Sequence, residues 1–221
     1  MTTSAPNSDA PSAEPDAGLA PADARELALV HAFLAGDQSA LAELLEQYQD
    51  RLFGVCLRMM GDADLARDLT QDAMVKVIQG LDRFDGRAKL STWMIRVTMN
   101  VCLTELRRRK VRKHASLDAP VGGTGGSEGA GMTAAASLAD ERERTTPGRV
   151  EHDEDLKRVQ VALQRISPDQ RALLILRDMQ GLEYRQIASL LEVPHGTIKS
   201  RLFRARAALR EQVERLGSSE Q

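Results

Sequence analysis

A chain of 221 residues with 30 Lys+Arg against 32 Asp+Glu and a net charge of -2 has room for one or two domains and no overall charge bias. Aromatic residues make up only 3% while Leu, Ala, Glu, Gln and Arg abound, which favours helix and speaks against a β-sandwich or barrel. No apolar run approaches the ~18 residues of a membrane span, no secretory leader pattern opens the sequence, and Cys56 and Cys102 form no CxxC pair. An all-α, soluble, cytoplasmic protein without membrane insertion or a disulfide framework is expected.

Residues 1–24 hold Asp9, Glu14, Asp16 and Asp23 but no Lys or Arg, with Ala, Pro and Ser between them; this composition predicts a disordered acidic tail. Four helices are predicted over 25–113. Leu27, Val30, Phe33 and Leu34 share the face of the first, which Gly36-Asp37 ends. Leu41, Leu44, Leu45, Tyr48, Leu52, Val55, Cys56 and Met59 recur at helical spacing along the second, which Gly61-Asp62 stops. Ala66, Leu69, Ala73, Val77 and Leu81 define the stripe of the third, with Asp62 as its cap. A polar loop from Asp82 to Lys89 follows, and Ser91 is read as the N-cap of the fourth, which carries Ile95, Leu103 and Leu106 into a basic run. That run, Arg107 to Lys113, has six cations in seven positions.

Residues 114–150, centred on Gly122 to Ser127, read as a flexible linker whose average span is roughly 30–36 Å. Helical patterning resumes over 151–215, ahead of a short tail at 216–221. Leu156, Val159, Leu163 and Ile166 form one stripe. Ser167-Pro168-Asp169-Gln170 has the cap, the first-turn proline and the third-residue glutamine of a capping box, followed by Leu173, Leu174 and Leu176 and ended by Gly181.

The most informative pattern comes last. Glu183 to Leu191 reads as a short helix, Glu192-Val193-Pro194 as a turn, and His195 to about Arg210 as a second helix. Ile198, Leu202, Ala205 and Leu209 share its inner face and should pack on Ile187, Leu190 and Val193. The opposite face carries Lys199, Ser200, Phe203 and Arg204, with Gly196 at its start, where close backbone approach would be useful. Cationic donors reach guanine O6 and N7, and an apolar ring can meet a thymine methyl, so this is the surface a recognition helix presents to a major groove. Arg201 and Arg206 flank it and suit phosphate contacts. An aromatic exposed between cations has no evident packing role, whereas a plain amphipathic hairpin would carry charges alone.

Residues 25–112 and 151–215 together resemble an extracytoplasmic-function (ECF) sigma factor, a bacterial RNA polymerase sigma subunit of the sigma-70 family. Ala66-Arg67-Asp68-Leu69-Thr70-Gln71-Asp72 resembles its core-polymerase-binding motif, Leu90 to Asn100 its −10 helix, and Gly196 to Arg206 its −35 helix. The resemblance implies that 25–113 is region 2 and 151–215 region 4, that Asp68, Leu69, Gln71 and Asp72 bind core polymerase, and that Phe84, Asp85, Gly86, Arg87, Ala88 and Lys89 act with Arg96 and Asn100 on a flipped −10 base. It also implies that Gly196, Thr197, Lys199, Ser200, Arg201, Phe203 and Arg204 read the −35 duplex. Implied partners are core RNA polymerase, promoter DNA and an anti-sigma factor; no cofactor is implied.

Asn100 stands out on chemical grounds as well, because a mid-helix amide competes with the backbone yet offers a donor and an acceptor to a base edge. His31, His114, His152 and His195 lack metal-ligand spacing, and no phosphate-loop or nucleophile motif occurs, so neither a metal site nor catalysis is expected. From the residues alone, two alternatives stay open: a regulator with a sensor domain at 25–113, and a helical interaction protein with basic faces.

Overall fold

A computed structural model describes residues 21–117 and 147–218, and all regular structure within them is helical. The acidic tail before Pro21, the glycine-rich heart of the linker and the last three residues lie outside the described residues. The first domain comprises α1 (Pro21–Leu34), α2 (Gln38–Met60), α3 (Ala63–Gly80) with a 3₁₀ turn at Leu81–Arg83, and α4 (Leu90–Leu117). The second comprises α5 (Pro147–Arg165), α6 (Pro168–Leu174) continued by a π-helical turn at Ile175–Met179, α7 (Tyr184–Leu191) and α8 (His195–Ser218).

Several boundaries follow from the caps the sequence displays. The Asp37 side chain accepts the Ser39 amide at the start of α2, and Gly61 ends that helix at φ +73°, a left-handed position that glycine adopts without strain. Asp62 accepts from the amides of Asp64 and Leu65, 3.0 Å each, and so opens α3 one residue after α2 closes. Ser167 and Gln170 form the reciprocal box expected of them. Other boundaries differ. Helix α1 begins at Pro21, inside the segment that composition marks as tail, because proline is accommodated in a first turn. Ser91 is not the cap of α4: the helix already starts at Leu90, and the Lys89 carbonyl accepts the Trp93 amide at 3.1 Å.

The predicted stripes form the core. Ala66, Leu69, Ala73, Val77 and Leu81 are all buried, as are Leu44, Tyr48, Leu52, Val55, Cys56 and Met59. Two residues leave their stripes: Leu34 is 49% exposed at the fraying end of α1, and Leu156 is 55% exposed early in α5, where no helix covers it. Cys56 and Cys102 are buried free thiols 3.7 Å apart, and the hydrogen bond between them raises the Cys102 pKa.

One apolar cluster lies under α1 and the N-terminal half of α4. The other runs without a break from Val55, Met59 and Ile95 of the first domain to Leu163, Leu173, Leu176 and Leu202 of the second. Composition marks two helical domains and a joint; it gives no sign that the domains share a core.

Candidate nucleic-acid interface

On α3 the residues one face apart from the core stripe point outward. Asp68, Gln71 and Asp72 are exposed, and neither carboxylate pairs with a cation among the described residues. Leu69, grouped with them from the motif, is only 5% exposed and packs into the core, so it supports this face from beneath. Thr70 is likewise buried and donates its hydroxyl to the Ala66 carbonyl at 2.6 Å.

The loop before α4 divides into an anchor and an exposed rim. The Phe84 ring meets Trp93 at 5.6 Å between centroids, tilted by 49°, which folds the loop's base onto the first turn of α4. Trp93 in turn lies against Gly80, where a β-carbon would come within 3.1 Å of the indole. Gly86 takes φ +70° and sits beside Leu27 of α1. Asp85 accepts the Arg87 amide at 3.1 Å, fixing the turn, and Lys89 pairs with Asp23 of α1 at 3.2 Å. Asp85, Arg87, Ala88 and Lys89 therefore form the rim, while Phe84 and Gly86 are half-buried. Arg96 and Asn100, four residues apart, are both exposed and share a face of α4. Asn100 lies about 15 Å along the axis from the start of that helix, so loop and amide mark two ends of one surface. Farther along α4, Glu105 gathers Arg108, Arg109 and Arg112 at 3.8, 2.9 and 2.9 Å.

In the second domain, α7 is closed on both sides. The Gln186 side chain accepts the Glu183 amide at 2.8 Å, and Glu192 takes the left-handed conformation at φ +55° and donates its amide to the Ala188 carbonyl. Thr197 donates its hydroxyl to the Pro194 carbonyl at 2.7 Å and fixes the first turn of α8. The inner face then buries Ile198, Leu202 and Ala205. Lys199, Ser200 and Arg204 are exposed on the other side, Thr197 and Arg201 are half-buried at its edges, and Phe203 is 74% exposed. A β-carbon at Gly196 would meet nothing within 4 Å, so the protein's own packing does not demand a glycine there.

Arg206, expected to suit a phosphate contact, is exposed and pairs with Asp178 of the π-turn through both oxygens, at 3.0 and 2.5 Å, which raises its pKa and braces α8 against that turn. The two residues are 28 positions apart, and no local spacing reveals the pair.

Residues 44–112 match the family model of sigma-70 region 2, and residues 156–209 match that of sigma-70 region 4. The chain is 30% identical over 181 residues to the ECF RNA polymerase sigma factor SigW of Bacillus subtilis, covering 82% of this chain and 92% of that protein. This chain is an ECF sigma factor of the sigma-70 family. The sigma factor is also 29% identical over 190 residues to the ECF RNA polymerase sigma-E factor of Escherichia coli K12, covering 85% of this chain and 94% of that one.

Its fold is similar to that of the sigma factor RpoE from Bartonella quintana, solved with the anti-sigma factor NepR. The TM-score is 0.58 at 24% identity, with 78% of this chain and 96% of that chain covered. It is similar as well to CnrH, solved with the cytosolic domain of CnrY, at a TM-score of 0.54 and 19% identity over 86% and 97% of the two chains. As a sigma factor the protein associates with RNA polymerase and directs promoter-specific initiation. Among the described residues no helix is long and apolar enough to cross a membrane, and no cluster of His, Cys, Asp and Glu has the makings of a metal site.

Proposed function

We propose a division of labour between residues 25–113, the region 2 domain, and residues 151–215, the region 4 domain. The first docks on core polymerase through Asp68, Gln71 and Asp72. It then captures a melted −10 base between the rim of the loop, Arg96 and Asn100; extruding a base costs a few kcal/mol, which a shaped site offsets. The second lays α8 in the major groove of the −35 element, with Lys199, Ser200, Phe203 and Arg204 toward the bases and Arg201 at the edge. The observation that carries this reading is Phe203, an exposed ring among exposed cations on a helix whose other side is core.

In this reading the protein acts in the cytoplasm, has no catalytic step of its own, responds to stress and is held in check by an anti-sigma factor. The acidic segment before Pro21 and the glycine-rich residues 118–146 serve solubility and reach. Purified protein combined with sigma-free core polymerase tests the proposal: transcripts should start at one position on a cognate promoter and vanish when either element is scrambled. Transcription that ignores both elements, or needs another sigma factor, refutes it.

A further inference from the structure

The sequence carries two cysteines, and the fold brings them together from α2 and α4, 46 positions apart. Cys56 and Cys102 are both fully buried free thiols, and the Cys102 Sγ donates to the Cys56 Sγ at 3.7 Å. They belong to an aliphatic cluster with Val55 and Met59 of α2, Ala73 of α3, and Met99 and Leu103 of α4. A thiol is a weak donor and a weak acceptor, and as a small hydrophobe it packs much as Ala or Val does. What two facing thiols add to such a core is a bond that can be made and unmade.

A single thiol buried among aliphatic side chains is inert, because burial disfavours its thiolate. Here the second thiol changes both terms. Its hydrogen bond lowers the Cys56 pKa against the opposing effect of burial, whereas Cys102 is pushed up. Cys56 is therefore the sulfur that ionises first, and Cys102 stands in place to attack it once it is oxidised. The two sulfurs need to close by about 1.7 Å to reach the ~2.05 Å of a disulfide.

We infer that Cys56 and Cys102 are a redox modification site, a thiol pair that a hydroperoxide converts into an intramolecular disulfide stapling α2 to α4. The Cys56 thiolate attacks one peroxide oxygen and the O–O bond breaks. The departing alkoxide or hydroxide takes up the proton that Cys56 lost, and Cys56 becomes a sulfenic acid. Cys102 then attacks the Cys56 sulfur, the S–O bond breaks, and hydroxide leaves with the Cys102 proton as water. Two thiols are oxidised, one peroxide is reduced, and a dithiol reverses the change by exchange. Neither sulfur is exposed, so the oxidant enters through a local opening, and hydrogen peroxide is small enough to need little of one. In a reducing compartment the pair rests as thiols. The bond closes a loop of 46 residues, which on the chain-entropy model shifts the folding equilibrium about a thousandfold toward the folded chain.

The test treats the full chain, reduced and desalted, with hydrogen peroxide, then quenches with catalase and denatures it in the presence of a maleimide. The product should be lighter by two hydrogen atoms with neither thiol alkylated, and trypsin should release residues 52–58 joined to residues 97–107. Dithiothreitol should restore both thiols. The oxidised chain should also lose its helicity at higher urea than the reduced chain. Cys102→Ala should yield no linked peptide and no gain in urea resistance on treatment. The linked peptide is read on the wild-type chain, so that result stands even where the variant fails to fold. Two free thiols after treatment, a sulfinic or sulfonic acid in place of the bridge, or a bridge between two chains overturns the site. So does a bridge that forms only when peroxide meets the chain already unfolded in guanidinium. An intramolecular bridge that leaves the urea resistance unchanged overturns the staple.

Discussion

Leu202 and Phe203 are neighbours in sequence with opposite fates, and the contrast yields a sharp prediction. Leu202 is 1% exposed beneath α8, whereas Phe203 is 74% exposed on its outer face. Leu202→Ala removes a fully packed side chain and should cost ~2–5 kcal/mol of stability. Phe203→Ala removes a ring that touches little of the protein and should stay within about 0.5 kcal/mol of the parent. On DNA the order reverses. A Phe side chain offers ~150–250 Å², and covering a quarter to a half of it against a thymine methyl and sugar removes about 50–100 Å² from water. At ~25 cal/mol per Å² this is about 1–2.5 kcal/mol, a roughly fivefold to seventyfold rise in Kd. Urea denaturation supplies the first quantity and fluorescence anisotropy on a −35 duplex the second. A Phe203→Ala protein that melts like Leu202→Ala, or binds the duplex as tightly as the parent, would show that the ring serves packing and not readout.

Further outcomes follow from the other faces. Asp68→Ala with Asp72→Ala should weaken core-polymerase binding while thermal melting stays unchanged, since both carboxylates are exposed and unpaired among the described residues; equal affinity in a titration removes the docking assignment. Asn100→Ala should leave closed-complex affinity nearly intact and reduce permanganate reactivity of the melted −10 region, because the amide acts only on an unstacked base. Wild-type footprints would sink that role. Arg204→Ala should cost ~1–3 kcal/mol at one base pair and relax preference there in a randomised −35 library, if it bonds a guanine edge. A uniform loss with a salt slope smaller by about one would place it on phosphate instead.

The chain's local periodicity and caps were enough to place its helices, though not the Pro21 start of α1 or the Leu90 start of α4. The i, i+3, i+4 stripes of α2 and α3, the Asp37, Asp62 and Ser167 caps and the Gly61 stop act within one or two turns, so their signal lies within a few residues. The outward faces of α3 and α8 were legible for the same reason, since a buried stripe dictates what points the other way. Tertiary structure alone decided the commitments between distant residues. Arg206 carries the same charge as Arg204, but Asp178 of the π-turn claims it. Arg171 reads as one more cation on an amphipathic helix until two helix ends converge on it from positions 8 and 112 residues away. Such pairings depend on where whole helices come to rest, which no local spacing encodes.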